Sequence, residues 1–421
     1  MSRGSSASFF SVLLLVLTLA VTAHATPVVQ VRDNLVRLPM AKRFNLTGSG
    51  SLLARDQARL RNLRARANAK LTGVPFDVDA AVGSVSADNQ AVDYVVNVGV
   101  GTPATTYSLL VDTGSSNTWV GAGKAYVRTS SSKQTSDRVA VTYGSGDFSG
   151  TEFTDTVTLG SGLTVTGQGI GAASRSDGFD GVDGILGIGP TDLTLDTLSP
   201  DTRSTIPTIT DTLFSQGVIP AHEVSVSFEP TDSPEIVNGE LTFGGTDSSK
   251  FEGSITFAPL TRTSPASEFF GIDQSITYGT STSILSTTAG IVDTGTTLTL
   301  IATDALQKYQ RATGAVADRN TGLLRLTTAQ FEKLQSLFFT INGVKFELTP
   351  NAQIWPRALN TAIGGNANSV YLIVGDLGTP SGEGLDFING MTFLERFYAV
   401  FDSANSRVGF ATTQFTTATT N

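Results

Sequence analysis

Two stretches of the chain, LVDTGSSNTWV at residues 110–120 and IVDTGTTLTLI at residues 291–301, share nearly the same pattern. In each, two apolar residues precede Asp-Thr-Gly, two hydroxyl residues follow it, and an apolar segment comes next. The two aspartates, Asp112 and Asp293, are 181 residues apart, about the length of one domain. A single Asp-Thr-Gly would be an ordinary turn, since Asp and Gly are common turn residues. Its repetition one domain length apart indicates a duplicated lobe.

Each copy also has a distant partner segment of apolar residues that ends in glycine. Residues 185–187 read ILG, and residues 387–390 read FING. Because glycine has no Cβ, it allows the backbones of two segments to approach closely. We predict that these segments lie beneath the two aspartate-bearing loops.

The composition limits which chemistry the chain can perform. Its 421 residues include no cysteine, so there is neither a disulfide nor a thiol nucleophile. Histidine occurs only at His24 and His222, which leaves Ser-His-Asp catalysis and histidine-rich metal sites poorly supplied. Carboxylates are abundant. We therefore expect no metal and no cofactor, and we expect carboxylates to carry any catalysis.

Two facing carboxylates can hydrolyse a peptide bond without other groups. When they lie close together both cannot ionise, so the pair shares one proton. The ionised carboxylate accepts a proton from water, and the protonated one donates to the substrate carbonyl. We predict that Asp112 and Asp293 form this catalytic pair.

The residues that follow each aspartate suit a rigid carboxylate pair. We expect the glycines to leave backbone N–H groups free for the carboxylates, the threonines to bond across the lobe interface, and the next hydroxyl residues to bond the outer carboxylate oxygens. These supporting residues are Thr113, Gly114, Ser115, Thr294, Gly295 and Thr296.

The chain after residue 80 reads as a mainly β protein. Short apolar and β-branched runs, for example at residues 94–98 and 223–228, alternate with clusters of Gly, Asn, Asp and Ser. Polar residues followed by helical apolar patterns predict short helices at residues 303–313 and 328–337.

The first 25 residues have the features of a secretory signal peptide. Arg3 precedes an apolar run from Phe9 to Ala20, and Ala23-His24-Ala25 fits a small-x-small cleavage site. A membrane anchor is the alternative, but the run is short for a spanning helix. We predict a secreted protein with no stable membrane association.

Residues 26–80 differ in charge from the rest of the chain. They carry a net charge of +6, whereas residues 81–421 carry −16. The segment is either a solvated basic linker or an inhibitory propeptide whose cations lie over carboxylates in a cleft. The Ala, Leu and Arg content of residues 52–71 favours a helix. The sequence Asn45-Leu46-Thr47 within it is an N-glycosylation acceptor motif.

Across residues 85–415 the chain resembles the pepsin-like aspartic proteases. Besides the two Asp-Thr-Gly stretches, the resemblance rests on four elements: VTYGSG at 141–146, DGILG at 183–187, GELTFGG at 239–245, and FYAVFD at 397–402 followed by VGFA at 408–411.

The resemblance implies a bilobal, mainly antiparallel double-ψ-barrel fold and an acid endopeptidase made as a zymogen. It implies that Tyr143, Gly144 and Ser145 form a substrate-binding flap, with the Tyr143 hydroxyl near Trp119. Expected partners are protein or peptide substrates, cleaved next to bulky apolar residues, and the chain's own propeptide as an intramolecular inhibitor. Because one chain holds both halves, we expect a monomer.

The corresponding domain boundaries are a signal peptide at 1–25, a propeptide at 26–80, an N-terminal lobe with its connecting segment at 81–262 and a C-terminal lobe at 263–421. The sequence argues against three other functions. A non-catalytic binding protein of the same fold predicts a lost site residue, and none is lost. A glycoside hydrolase predicts aromatic platforms, and only Trp119 and Trp355 are present. The acidic body argues against nucleic-acid binding.

Overall fold

The structure, a computed structural model, describes residues 35–46, 51–72, 90–144, 146–160 and 163–420. The predicted signal peptide and the predicted flap residue Ser145 lie outside these ranges. Within them, strands dominate, and all helices except one are short. The predicted all-β class is confirmed.

The strands up to residue 259 are β1 (Val36–Leu46), β2 (Gln90–Val100), β3 (Thr105–Asp112), β4 (Thr118–Val120), β5 (Lys133–Tyr143), β6 (Gly146–Leu159), β7 (Leu163–Asp177), β8 (Gly184–Gly187), β9 (Leu198–Ser199), β10 (Glu223–Ser227), β11 (Glu235–Phe243) and β12 (Glu252–Pro259). The later strands are β13 (Gly271–Tyr278), β14 (Thr282–Val292), β15 (Thr299–Ile301), β16 (Val316–Ala317), β17 (Leu324–Leu326), β18 (Leu337–Ile341), β19 (Val344–Leu348), β20 (Val370–Tyr371), β21 (Val374–Asp376), β22 (Phe387–Asn389), β23 (Phe397–Asp402) and β24 (Arg407–Thr412).

The α-helices of the described residues are α1 (Leu52–Thr72), α2 (Ile209–Ser215), α3 (Thr303–Thr313), α4 (Thr328–Phe331) and α5 (Met391–Leu394). Short 3₁₀ turns cover Thr191–Thr194, Ala266–Glu268, Asn351–Gln353 and Arg357–Ile363. No helix in the described part of the chain is long and apolar enough to cross a membrane.

The sheets repeat one local arrangement in the two halves of the chain. In the large sheet β8 lies between β3 and β4, parallel to β3 and antiparallel to β4. In the second sheet β22 lies between β14 and β15 in the same way. Strands β8 and β22 are the apolar partner segments predicted from the sequence. They fix the two aspartate-bearing loops in equivalent positions.

The large sheet also joins distant parts of the chain. Its order begins β12-β24-β23-β10-β11-β1-β2-β3, so the last two strands of the chain pair with strands that precede residue 262. Strand β1, from the predicted propeptide, lies in the interior of this sheet, antiparallel to both β2 and β11. Strand β1 is not among the elements predicted from the sequence.

One of the two predicted body helices has the expected length. Helix α3 covers residues 303–313 as predicted, and Gly314 ends it in the left-handed conformation. The prediction of a helix over 328–337 is wrong beyond Phe331. Thr327 and Gln330 form a capping box that starts α4. The chain then leaves the helix because Leu337 begins β18, which pairs with β13 and β19.

A buried carboxyl in the first half makes the stability of the fold dependent on pH. Glu152 on β6 is 5% exposed, and its Oε2 atom has no hydrogen-bond partner among the described residues. Burial, with the charge of Asp137, raises the pKa of Glu152 to about 8. The folded state therefore holds the neutral acid, and folding is penalised progressively as the pH rises through the window from about 4.5 to about 8.

We expect Glu152→Gln to stabilise the full-length protein by about 1–2 kcal/mol at pH 7.5, because an amide has no charge to bury. At pH 4, where Glu152 is neutral in both states, the free energy of unfolding should not change. Urea unfolding at the two pH values measures this difference, with the predicted catalytic Asp293 replaced by Asn in every chain so that no chain cuts itself in acid. The exposed Glu332→Gln is the matched control and should have no effect at either pH. Equal stabilisation by Glu152→Gln at both pH values would contradict the assignment.

Candidate active site

The loops after β3 and β14 are locked together across the two halves. The backbone N–H of Thr113 donates to the Oγ1 of Thr294, and the N–H of Thr294 donates to the Oγ1 of Thr113, both at 3.0 Å. Each hydroxyl in turn donates to a carbonyl of the opposite strand: Thr113 to Val292 at 3.3 Å, and Thr294 to Val111 at 3.0 Å. This symmetric set of bonds holds the two aspartate-bearing loops against each other.

Each aspartate receives the same two bonds from its own loop. The N–H of Gly114 donates to Oδ1 of Asp112 at 2.8 Å, and the Oγ of Ser115 donates to Oδ2 at 2.5 Å. Asp293 is held in the same way by the N–H of Gly295 at 3.1 Å and the hydroxyl of Thr296 at 2.5 Å. Both carboxylates are fully buried. Their orientation is therefore fixed by charge-assisted hydrogen bonds.

The two glycines are required because the opposite carboxylate is so close. A Cβ atom on Gly114 would lie 2.7 Å from Oδ1 of Asp293, and a Cβ on Gly295 would lie 2.7 Å from Oδ1 of Asp112. Any other residue would push the carboxylates apart. The structure thus brings the two aspartates and their six predicted supporting residues into one site.

The predicted flap is a hairpin whose tyrosine points at the first tryptophan. Tyr143 is the last residue of β5 and pairs with Gly146 of β6. The Nε1–H of Trp119 donates to the Tyr143 hydroxyl at 3.1 Å. Trp119 is also fully buried and stacks on Phe148, with ring centroids 4.3 Å apart. Trp119 therefore packs in the core and positions the flap tyrosine at the same time.

Helix α1, from the predicted propeptide, occupies the space between the flap and the aspartates. A Cβ on Gly144 would lie 2.0 Å from the Cα of Arg59, so the hairpin turn contacts the helix backbone directly. The guanidinium of Arg59 donates to both carboxylates. Nη2 lies 2.5 Å from Oδ1 of Asp112 and 2.9 Å from Oδ1 of Asp293, and Nε lies 2.7 Å from Oδ2 of Asp293.

The arginine changes the protonation of the pair. Burial alone would raise the pKa of Asp293, but the charge of Arg59, its hydrogen bonds and those of Thr296 and Gly295 outweigh burial and lower it. Both partners are buried, so water screens their attraction little. With Arg59 in place, Asp293 is held as a carboxylate and no room is left for a peptide.

A second acid of the helix, Asp56, was not singled out in the sequence. Its Oδ2 accepts the N–H of Leu298 at 2.8 Å, and its Oδ1 accepts the N–H of Thr297 at 3.3 Å. Burial raises the pKa of Asp56 to about 7, against the charges of Arg55 and Arg59 and the two N–H bonds. Asp56 is the only acid between residues 52 and 72. Its isolated negative charge, three residues before Arg59, is the feature of the sequence that could have indicated a specific role for it.

A buried ion pair ties strand β1 to the C-terminal half. The Nζ of Lys42 donates to the Glu395 carboxylate, and both residues are buried. On helix α1, Arg55 lies 3.2 Å from Asp93 of β2. The cations of residues 35–72 thus contact carboxylates of the body at several positions besides Asp112 and Asp293, which we call the dyad.

Neither tryptophan can act as an exposed platform for a sugar ring. Trp119 is 0% exposed and Trp355 is 1% exposed. This burial removes the feature that a glycoside hydrolase would need beside its carboxylates.

Comparison with known proteins agrees with the geometry. Residues 93–413 match the family described as eukaryotic aspartyl protease. The chain is 74% identical over 341 residues to polyporopepsin from Irpex lacteus, covering 81% of this chain and 100% of that protein. It is 31% identical to rhizopuspepsin from Rhizopus chinensis over 93% of this chain and 95% of that one.

A solved structure extends the likeness to three dimensions. The crystal structure of the aspartic proteinase from Irpex lacteus superposes with a TM-score of 0.78 at 64% sequence identity, covering 92% of this chain and 100% of that one. The predicted bilobal pepsin-like fold is thereby confirmed. The chain belongs to the eukaryotic aspartyl protease family and is a pepsin-like aspartic endopeptidase.

Proposed function

We propose that the chain is a secreted acid endopeptidase made as a zymogen, in which Asp112 and Asp293 activate a water molecule to cleave internal peptide bonds. The observation that carries the proposal is the contact of Arg59 with both buried aspartates. An intramolecular inhibitor must block the groups that the reaction needs. Arg59, on a segment that precedes the body, binds both of these carboxylates.

The mechanism follows from the support around each carboxylate. Two carboxyl groups that share one proton are the established chemistry of aspartic proteases as a class. Once Arg59 leaves, the pair loses its counter-charge, and repulsion between the two carboxylates favours uptake of that proton. The bonds from Gly114, Ser115, Gly295 and Thr296 then hold a base for water and an acid for the substrate carbonyl in fixed positions.

The extent of the inhibitory segment is proposed as residues 26–80. Of these, β1 and α1 lie against the body and carry the contacts described above. The 341 residues matched to polyporopepsin equal the number from residue 81 to the C-terminus, which supports a body beginning near 81. The signal peptide at 1–25, the boundary near 262, secretion and a monomeric state remain predictions from the sequence.

The proposal is tested on the full-length protein with an unfolded protein as substrate. We expect little cleavage at pH 7 and strong cleavage after exposure to acid, with loss of the N-terminal segment seen by intact mass. The activity should fall above neutrality, because the carboxylate pair then loses its shared proton. A statine-type inhibitor should block cleavage. An activity optimum above pH 7, or full activity of the uncut chain at neutral pH, would refute the zymogen proposal.

A further inference from the structure

The far end of helix α1 carries a cation that is bound by both halves of the molecule. The Nζ of Lys70 lies 2.7 Å from Oε2 of Glu268 and 3.5 Å from Oδ2 of Asp192. Asp192 belongs to the 3₁₀ turn Thr191–Thr194 and Glu268 to the turn Ala266–Glu268. The Glu268 side chain is only 14% exposed, whereas that of Asp192 is 66% exposed. We call Asp192 and Glu268 the acidic clamp.

The clamp lies along the same groove as the dyad, where the groove is the space between the two halves that helix α1 fills. Between Arg59 and Lys70, the Nη2 of Arg64 donates to the carbonyl of Leu385 at 2.5 Å, and the Nη2 of Arg66 donates to the carbonyl of Leu193 at 2.7 Å. The second half of the helix is therefore bound on one side by the C-terminal half of the chain and on the other by the N-terminal half. The groove continues from the aspartates to the clamp.

The geometry of helix α1 gives the distance between the dyad and the clamp, which can be expressed as a number of residues of an extended substrate. Lys70 follows Arg59 by eleven positions in the sequence, which is about 16 Å along an α-helix. An extended peptide covers the same length in about five residues. A substrate side chain about five positions from the cleaved bond would therefore reach the clamp.

We infer that Glu268, assisted by Asp192, forms a distal subsite that selects a Lys or Arg side chain of the substrate, and that Lys70 occupies this subsite before activation. The inference rests on the proposed function, in which α1 fills the substrate groove. The bound ammonium of Lys70 shows that a cation on a chain in the groove reaches both carboxylates. Glu268 carries most of the selectivity because its sheltered position reduces screening of its charge by solvent.

The test uses enzyme obtained by acid activation of the full-length chain, and peptides with a single cleaved bond. Lysine, arginine, norleucine and glutamine are placed in turn three to seven residues away on either side of that bond. We expect kcat/KM to be about fivefold higher for lysine than for norleucine at one position about five residues away. Norleucine is the matched side chain because it keeps most of the apolar stem and lacks the charge. The preference should shrink as salt is added.

Three variants assign the preference to the clamp. Glu268→Gln should abolish it, Asp192→Asn should reduce it, and the exposed Glu252→Gln should leave it intact. Glu252→Gln should also cleave the norleucine peptides at the wild-type rate, and the effect of the other two variants is measured as the ratio of kcat/KM for the lysine peptide to that for the norleucine peptide. No preference for a basic residue at any position, or a preference that survives Glu268→Gln, would overturn the inference while leaving the protease assignment intact. Failure to cleave any peptide would instead overturn the proposed function and the inference with it.

Discussion

Asp293→Asn is expected to lower kcat/KM for peptide hydrolysis by about 10²–10⁴-fold, the contribution typical of a positioned general acid or base. Asparagine has the shape of the aspartate: its amide oxygen can accept the bond from the N–H of Gly295, and its NH2 group can donate to the Thr296 hydroxyl, which then accepts. It can neither ionise nor share a proton with Asp112. The fall in activity therefore reports the loss of the catalytic carboxylate and not a defect in folding. Asp112→Asn should have an effect of the same order.

The measurement must not depend on self-activation, since an inactive variant cannot remove its own leader. Residues 77–80 are therefore replaced, in wild type and variants alike, by a site for an unrelated endopeptidase. The exposed Asp232→Asn is the matched control and should keep full activity. The central proposal fails if either dyad variant, freed of its leader, digests peptides at the wild-type rate.

Arg59→Ala is expected to shift the equilibrium between docked and released helix α1 by about 10²–10⁴-fold towards release. Removing one partner of a buried ion pair costs about 3–5 kcal/mol, because the remaining charge is left without compensation. Here two buried carboxylates lose their shared partner. The uncut full-length variant should therefore cleave a fluorogenic peptide near neutral pH, at which we expect the wild-type chain to be inactive.

The initial rate is measured as a function of pH, while the length of the chain is followed by mass spectrometry. The docked pKa of Asp293 is lowered, so its contribution to docking is present at neutral pH and lost as the pH falls through that lowered value. The wild type should consequently open only in acid, and Arg59→Ala should open at higher pH. Arg61→Ala on the exposed face of the same helix should behave as wild type. An unchanged pH of opening in Arg59→Ala would rule out the cation as the inhibitory contact.

Asp56 acts on docking with the opposite sign. Its docked pKa is raised from 3.8 to about 7, so it is neutral in the docked helix in mild acid, and its penalty on docking grows as the pH rises from about 3.8 to about 7. We therefore attribute the proposed acid-dependent release to Asp293 and not to Asp56.

The sequence predicted the site better than its surroundings. The repeated Asp-Thr-Gly segments determine the local strand-loop-strand geometry in each half, and the bonds to the carboxylates come from residues within three positions of each aspartate. Such short-range geometry is encoded locally. The reciprocal bonds between Thr113 and Thr294 could be anticipated because a duplicated lobe implies a symmetric interface.

Strand β1 was missed although it has a period-two pattern. Val36, Leu38 and Met40 are buried on one face, as in a half-buried strand. Lys42 continues that face and breaks the apolar pattern, and its charge is met by Glu395, 353 residues further along the chain. A partner so distant cannot be read from the local sequence. The positive charge of the segment therefore predicts a contact with carboxylates of the cleft, but it does not predict a strand within the sheet.

The interior position of β1 has a consequence for the lifetime of the enzyme. A chain folded with its leader acquires a sheet in which β2 and β11 are both paired to β1. If residues 26–80 are removed as proposed, the body loses the strand with which that sheet was assembled. The time for which the freed enzyme stays active would then depend on its rate of unfolding as well as on its equilibrium stability.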